Sequence, residues 1–255
     1  MTRRWVNQFP NPVALGQAAA LDIADELGRI LATQATARVV FAAAPSQQET
    51  LKALLNAPDI AWDRVTVFHM DEYMGLPHEA PERFGAWLRE AFFDKLPLRA
   101  VHLLDPDVPD AARSYAIALA EAPIDIVCMG IGVNGHIAFN DPPVADFADP
   151  LDVKEVVLDE SCRQQQVDDG CFASLADVPT RALSLTVPRL LNASTLFCMV
   201  PGAAKARAVE ATLFHPLSTE WPSTILRTHP NCTLYVDASS GARVGIDLAS
   251  PHFTL

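Results

Sequence analysis

The sequence predicts an α/β protein with an open, mainly parallel sheet and helices on both of its faces. Short apolar runs alternate with amphipathic stretches along the chain, and strands that alternate with helices form right-handed βαβ units around a parallel sheet. Half of the 255 residues (50%) are hydrophobic, which is enough to build a large core. Because no repeat or change of composition divides the chain, residues 1–255 are predicted to form a single domain.

The alternation is clearest in the first half of the chain. Alanine, leucine and isoleucine recur at helical spacing over 17–34, and the run ARVVFAAA that follows is typical of a buried strand. The periodicity predicts helices over 17–34, 46–55, 81–94 and 111–120, and strands over 37–44, 64–70 and 124–129. Shorter apolar runs in the second half predict strands over 153–158, 182–187, 196–200 and 233–236, and helices over 203–214 and 223–228.

Composition excludes several classes of partner. With 31 acidic and 19 basic residues, the formal net charge is -12, which disfavours a surface that binds nucleic acid or anionic lipid. No stretch approaches the roughly 20 apolar residues of a membrane span, and residues 1–10 lack an apolar signal core. We therefore expect a cytoplasmic protein with no nucleic-acid or membrane partner. A small anion is still compatible, because a few cations and helix N-termini can hold a phosphate.

The cysteines and histidines indicate neither a disulfide framework nor a metal site. The five cysteines are widely spaced and none forms a C-x-x-C pair, so they are expected to be buried, reduced thiols. No two histidines have the i, i+4 spacing of a helical metal site. The sequence therefore predicts no metal and no cofactor.

Polar residues follow several predicted strands at the point where a ligand would bind. In an open parallel sheet, ligands occupy the crevice beyond the carboxyl ends of the strands. Ser46 follows the strand 37–44, and Asp71 and Glu72 follow the strand 64–70 with no intervening turn. Asp71 is interpreted either as a base in the crevice or as a cap for the next segment. Glu72 would point to the opposite side of an extended chain.

A glycine-rich segment follows the strand 124–129. Gly130, Gly132 and Gly135 match the spacing of a dinucleotide-binding turn, but no amphipathic helix follows them and no strand-end acid stands about 20 residues later to hold a ribose. Positive φ angles and close backbone approach around a ligand explain the glycines better. His136 then lies in the crevice. It is interpreted either as a proton donor and acceptor near neutral pH or as a structural histidine.

A lysine stands at the start of the helix predicted over 203–214. Gly202 to Lys205 directly follow the strand 196–200, which places Lys205 and free backbone N–H groups at the crevice. Such an arrangement suits a phosphate group. The alternative is an ordinary solvated lysine in the first turn of the helix.

Two long segments resemble the signature segments of glucosamine-6-phosphate deaminases. They are FHMDEYMGL at 68–76 and GIGVNGHIAFNDP at 130–142, and GAAKA at 202–206 is similar to that family's helix-opening lysine motif. The order and spacing of the strands agree over about residues 15–240. The resemblance implies a fold like that of these deaminases and of ribose-5-phosphate isomerase, in a superfamily that also holds the 6-phosphogluconolactonases.

Two details favour the deaminase branch of this superfamily. Lactonases typically have DER where this chain has DEY at 71–73, and GHTASLFP where it has GHIAFN from residue 135. The resemblance therefore implies an enzyme that converts glucosamine 6-phosphate or galactosamine 6-phosphate to the ketose 6-phosphate and ammonia. A 6-phosphogluconolactonase-type hydrolase and a non-catalytic sugar-phosphate binder are the alternatives, and the sequence is compatible with a homo-oligomer.

The resemblance also implies the roles of four catalytic residues. Asp71 would move a proton between C2 and C1 of the open-chain amino sugar, and His136 would open the pyranose ring. Asn134 and Asp141 would orient and polarise His136. Family members often have glutamate where this chain has Asp141, so the shorter side chain is expected to reach its partner through water or not at all.

The expected substrate contacts depart from the family at the phosphate loop. Deaminases usually have a glycine-rich turn there, whereas this chain has AAAPSQQ at 42–48, and alanine and proline allow fewer backbone conformations. The family's second phosphate-binding cation aligns nearest Gln166, so Arg163 is expected to substitute for it. The predicted substrate-binding residues are Ala43, Ala44, Ser46, Glu72, Gly135, Arg163 and Lys205.

Overall fold

The computed structural model describes residues 5–245, so residues 1–4 and 246–255 of the predicted domain lie outside the described residues. The strands are β1 (Val6–Phe9), β2 (Ala37–Phe41), β3 (Val65–His69), β4 (Asp71–Tyr73), β5 (Ala100–His102), β6 (Ile124–Met129), β7 (Val153–Val157), β8 (Arg181–Leu185), β9 (Ala193–Val200) and β10 (Cys232–Asp237). The α-helices are α1 (Pro12–Thr33), α2 (Gln48–Leu55), α3 (Phe84–Ala91), α4 (Ala111–Ala120), α5 (Glu160–Asp168), α6 (Val187–Leu191) and α7 (Ala206–Phe214). Short 3₁₀ helices span Pro45–Gln47, Trp62–Arg64, Phe93–Lys95, Ala203–Lys205 and Pro222–Thr228.

Seven strands form a parallel sheet in the order β1-β10-β9-β6-β2-β3-β5. Helices α1, α2 and α3 contribute apolar side chains to the core on one face, and α4 and α7 contribute to the core on the other. Every residue of β2 and β6 is buried, as expected for central strands covered on both faces. The predicted α/β fold, with a mainly parallel sheet between two helical layers, is confirmed.

A second, smaller sheet was not expected. Strands β4, β8 and β7 pair antiparallel in that order, so the apolar runs near 153–158 and 182–187 do not extend the parallel sheet. The chain enters this second sheet directly from β3, because only Met70 separates β3 from β4. The backbone N–H of Leu185 donates to the carbonyl of Met70 (2.8 Å), which joins the two sheets at this point.

Two helices begin at other residues than predicted, because polar groups that the apolar pattern does not include fix where they start. Helix α1 begins five residues early, at Pro12, because Asn11 Oδ1 accepts from the N–H of Ala14 (2.9 Å) and proline suits the first turn. Helix α3 begins at Phe84 instead of at 81. The elements β1, β5, α5 and α6 were not predicted, since they are short or contain few apolar residues.

The strand order places a switch point beside β2. From β2 the chain continues to β3 on one side, whereas β6 lies on the other side, and loops diverge there to leave a crevice. The carboxyl ends of β2, β3, β6 and β9 meet at this crevice. No helix within residues 5–245 is long and apolar enough to cross a membrane.

Candidate active site

One pocket lies at the carboxyl ends of these four strands. Six of the eleven predicted site residues line it, namely Ala43, Ala44, Ser46, Asp71, His136 and Lys205. The other five lie outside the pocket wall: Asn134 and Asp141 behind His136, Gly135 in a turn, and Glu72 and Arg163 against other parts of the structure.

Asp71 lies where the chain passes from the parallel sheet into the antiparallel one. Strand pairing on both sides of Met70 fixes its backbone, and its buried carboxylate faces the pocket. Burial raises the pKa of Asp71 well above the usual aspartate range, and the negative charge of Glu72 raises it further. When ionised, such a carboxylate is a stronger base than an exposed aspartate.

Glu72 points away from the pocket and fixes the start of α3. Its carboxylate accepts hydrogen bonds from the backbone N–H groups of Tyr73 (2.9 Å), Phe84 (3.0 Å) and Gly85 (2.9 Å). Burial raises the pKa of Glu72 to about 7, although these N–H groups lower it. The structure contradicts the predicted substrate contact, but it confirms that Glu72 points to the opposite side of the strand from Asp71.

Replacing Glu72 with alanine is expected to lower the free energy of unfolding by about 1–3 kcal/mol, because three backbone N–H groups lose their acceptor. Urea unfolding measures this change. Glu90→Ala is the matched control, since Glu90 is exposed on the same helix and such surface changes usually stay within about 0.5 kcal/mol. Equal effects of the two substitutions would refute this role for Glu72.

His136 and Asp141 form a directly contacting pair. The His136 ring lines the pocket, and its Nδ1 atom lies 3.0 Å from Asp141 Oδ1. The expectation that the shorter acid needs a bridging water is therefore wrong. The loop folds back tightly enough to remove the gap, because Asn140 Nδ2 donates to the carbonyls of Ile137 (2.9 Å) and Leu185 (2.8 Å).

Asn134 holds this pair in place from the other side. Its Nδ2 donates to Asp141 Oδ1 (3.0 Å), and its Oδ1 accepts from the backbone N–H of His136 (3.1 Å). Burial by itself would raise the pKa of Asp141, but the charge of His136 and the hydrogen bonds from Asn134 and the Asp159 N–H bring it below its usual value. Asp141 therefore stays ionised beside the His136 ring.

Two glycines of this loop are needed for different reasons. Gly135 has a φ of +82°, as predicted from the glycine-rich pattern. Gly132 has no such conformation, but a Cβ atom at this position would lie 2.1–2.3 Å from atoms of the His136 ring. The predicted close approach is therefore to the catalytic candidate itself and not to a ligand.

The loop after β2 forms the opposite wall of the pocket. No residue of 42–48 has a positive φ, so alanine and proline adopt this loop without the freedom of glycine. Ala44 is extended, and Pro45 begins a 3₁₀ helix that carries Ser46 into the pocket wall. The Ser46 hydroxyl accepts from Gln47 Nε2 (3.1 Å), which leaves its proton free for a ligand.

Lys205 lies at the end of the 3₁₀ helix that precedes α7. Its side chain is buried in the pocket wall, so the alternative of a solvated lysine is wrong. Burial lowers the pKa of the Lys205 ammonium to about 8, although the charge of Asp169 raises it. A cation held at this depth strongly favours an anionic ligand.

Comparison with known proteins identifies the family of this chain. A family model described as glucosamine-6-phosphate isomerases/6-phosphogluconolactonase matches residues 10–235. The chain belongs to this family. A glucosamine-6-phosphate deaminase of an Exiguobacterium species is 33% identical over 201 residues, which cover 75% of this chain and 77% of the relative. One from Bacillus cereus is 34% identical over 192 residues, which cover 74% and 71%.

Solved structures show the same fold. A monomeric glucosamine-6-phosphate deaminase has a TM-score of 0.86 and 24% identity, and the match covers 94% of this chain and all of the other (100%). A 6-phosphogluconolactonase from Thermotoga maritima has a TM-score of 0.73 and 16% identity, with 91% and 98% covered. The deaminase and lactonase branches of the family therefore share this architecture.

Arg163, which was expected to bind the phosphate, lies away from the pocket. The guanidinium of Arg163 donates to the backbone carbonyls of Leu175 (2.6 Å) and Val178 (2.9 Å), away from the pocket. Arg163 therefore does not substitute for a second cation. Its side chain instead fastens α5 to the loop that leads to β8.

Helix α5 supplies pocket residues that sequence reasoning missed. Gln165 and Gln166 are buried in the wall, and Asp169 follows at the end of the helix. Gln165 accepts from the N–H of Val133 (2.9 Å) and donates to Asp169 Oδ2 (3.1 Å). The helix ESCRQQQVD lacks an apolar period, so only the alignment near Gln166 could have indicated this wall.

Proposed function

We propose that this chain converts glucosamine 6-phosphate, or its C4 epimer galactosamine 6-phosphate, to the ketose 6-phosphate and ammonia. The observation that carries this proposal is the placement of Asp71 and His136 in one pocket with Lys205. Aldose–ketose conversion of a phosphorylated amino sugar requires a base near C2, an acid and base for ring opening, and an anchor for the phosphate. A phosphorylated substrate also fits the predicted cytoplasmic location.

Ring opening is assigned to His136. Asp141 lies beside Nδ1, so Nε2 is the nitrogen left for the sugar. Protonated His136 donates its Nε2 proton to the ring oxygen as the bond between C1 and that oxygen breaks. The neutral Nε2 atom then accepts the proton of the O1 hydroxyl as the C1 carbonyl forms. The ionised Asp141 stabilises the positive charge of the imidazolium during this step.

Isomerisation is assigned to Asp71. Its carboxylate accepts the proton from C2 of the open-chain sugar while O1 takes up a proton that the C2 ammonium group gives up, which yields an enolamine. Asp71 then returns its proton to C1. The product is an imine at C2. Water then adds to this imine carbon and the amine nitrogen leaves as ammonia, so the oxygen of the ketose comes from water.

Lys205 and Ser46 are assigned to the phosphate. Affinity for a phosphorylated ligand is expected to be highest near pH 7, where the phosphate is mostly doubly ionised, and to fall as the pH rises through 8, because the Lys205 pKa of about 8 means that the ammonium loses its charge there. Calorimetric titration with fructose 6-phosphate tests this expectation, since that ligand has no amine to titrate. Lys205→Gln should bind about 10- to 100-fold more weakly below pH 8 and with a flat profile. A flat wild-type profile up to pH 10 would refute the assignment.

Ammonia release from the two amino-sugar phosphates, measured alongside 6-phosphogluconolactone hydrolysis, tests the proposed reaction. Ammonia from either sugar is the expected result, and the faster one identifies the configuration at C4. Lactone hydrolysis alone would overturn the proposal and make His136 the activator of a water molecule. Thermal stabilisation by hexose phosphates without any turnover would also overturn it, in favour of a sugar-phosphate binder.

A further inference from the structure

Three buried side chains of different chemistry converge behind the His136 ring. They are His136, Asp141 and Cys162, and one ligand atom from each (Nδ1, a carboxylate oxygen and Sγ) lies within 4.8 Å of the other two. Cys162 comes from α5, whereas the other two residues belong to the loop after β6. All five cysteine thiols of the chain are free, and Cys162 is the one placed beside the acid–base pair.

The three atoms suit a tetrahedral metal ion. Zinc binds sulfur at about 2.3 Å and imidazole nitrogen or carboxylate oxygen at about 2.0–2.2 Å, so its ligand atoms lie about 3.3–3.7 Å apart. Nδ1 and Oδ1 are 3.0 Å apart, which leaves Sγ to move by about an ångström. Three protein ligands with a fourth position for water or substrate is also the usual arrangement of an open zinc site.

The three side chains keep lone pairs available for a metal, because the Asp141 carboxylate has acceptor capacity beyond its bonds from Asn134 and the Asp159 N–H. His136 Nδ1 is buried and has no hydrogen-bond partner among the described residues, although Asp141 Oδ1 lies 3.0 Å away. The thiol of Cys162 lies beside the Asp141 carboxylate and His136 Nδ1, so an ion bound among these three atoms would replace the thiol proton. The proton is released to solvent as the metal–sulfur bond forms.

A second group of potential ligands in the described residues does not have these properties. His78, Asp105 and Asp107 also lie within 4.8 Å of one another, but none of them is buried. Arg83 already forms ion pairs with both aspartates. This group therefore serves as a control for adventitious metal binding.

We propose that His136, Asp141 and Cys162 form an inhibitory site for a thiophilic divalent cation, zinc in particular. An ion on Nδ1 takes the place of the proton that Asp141 stabilises, so His136 can no longer alternate between its protonated and neutral forms. Metal binding does not depend on the proposed reaction, whereas inhibition does. The experiment therefore measures the two separately.

Cobalt(II) is the direct probe, because a cobalt–thiolate bond gives a charge-transfer absorption band that nitrogen and oxygen ligands do not give. The purified wild-type chain is expected to show this band at one ion per chain, and zinc is expected to abolish it by displacement. Cys162→Ser should lose the band. Cys171→Ser and His78→Gln should keep it, since Cys171 lies outside the group of three.

Ammonia release gives the second readout. Zinc should inhibit wild type and Cys171→Ser alike, and chelation by EDTA should restore activity. In Cys162→Ser, compared with its own metal-free rate, the inhibition constant should rise at least about tenfold. Asp141→Asn should also weaken the cobalt band. If Cys162→Ser does not fold, the spectrum of Asp141→Asn takes its place in the test.

Two results would overturn the proposal. A folded wild-type chain without the cobalt band has no such site, and a band that survives Cys162→Ser places the metal on another thiol. If the chain releases no ammonia, the proposed reaction fails while the cobalt spectrum still decides the metal site.

Discussion

Replacing Asp71 with asparagine is expected to lower kcat for ammonia release by about 100- to 10,000-fold. The amide has nearly the same shape as the carboxylate but cannot accept the C2 proton. The loss should fall on kcat, because Asp71 is assigned to proton transfer and not to the phosphate. Binding of fructose 6-phosphate should therefore stay close to the wild-type affinity.

Asp169→Asn is the matched control for this substitution. Asp169 is the other aspartate that lines the pocket, but it lies beside Lys205 and Gln165. Removing the carboxylate charge of Asp169 should change substrate affinity more than kcat. If Asp71→Asn kept more than about a tenth of the wild-type kcat, or if both variants lost kcat equally, Asp71 would not be the base.

Two further readouts follow from the same assignment. Wild-type turnover in deuterium oxide should place solvent deuterium at C1 of the ketose phosphate. The amount depends on how often the proton held by Asp71 exchanges with solvent before it is returned to C1. The acid limb of kcat/KM should lie well above the pH at which an ordinary aspartate titrates, because burial and Glu72 raise the pKa of Asp71. Activity is lost as the pH falls through this limb, since the base must be ionised.

The positions of Asp71 and His136 were predictable because strand ends are readable in the sequence. The apolar runs before them fix β3 and β6, and a parallel sheet gathers the carboxyl ends of its strands at one edge. The resemblance added the chemistry of the two side chains. The position of Lys205 was predictable in the same way, from the end of β9 and the start of the helix after it.

The antiparallel sheet and α5 could not be predicted by the same means. Strand β4 has three residues and follows β3 after only Met70, so the pattern continues without a visible break. Helix α5 is positioned by contacts made after folding, such as those of Arg163 with the carbonyls of Leu175 and Val178. The side chains that depend on α5, Gln165 and Cys162 among them, were missed for the same reason.

Glu72 shows how local sequence can mislead about a role. Its place next to Asp71 suggests a contact with the substrate, yet alternation along β4 sends its side chain to α3. The hydrogen bonds that Glu72 accepts from the N–H groups of Phe84 and Gly85 explain why α3 begins at Phe84 and not at Pro81. A single long-range acceptor thus decides both a helix boundary and the absence of a substrate contact.

Replacing Gly132 with alanine is expected to lower kcat by about 100-fold or more while the chain still folds. The added methyl group would lie 2.1–2.3 Å from the His136 ring. The backbone cannot yield easily, because the Gly132 N–H donates to the His136 carbonyl (2.9 Å) and its carbonyl accepts from Gly135 (3.0 Å). The ring must therefore move by an ångström or so, a displacement that can cost about 100-fold in rate.

Gly28→Ala separates this effect from the general effect of adding a methyl group. Nothing lies within 4 Å of a Cβ at Gly28, which is exposed in α1, so alanine there should leave kcat unchanged and add up to about 1 kcal/mol of stability. Overpacking at Gly132 should instead remove about 1–3 kcal/mol. Fructose 6-phosphate should still bind to Gly132→Ala, because Lys205 and Ser46 are untouched. A wild-type kcat in Gly132→Ala would mean that the position of the His136 ring does not control the reaction, and His136 would then lose its assignment as the ring-opening residue.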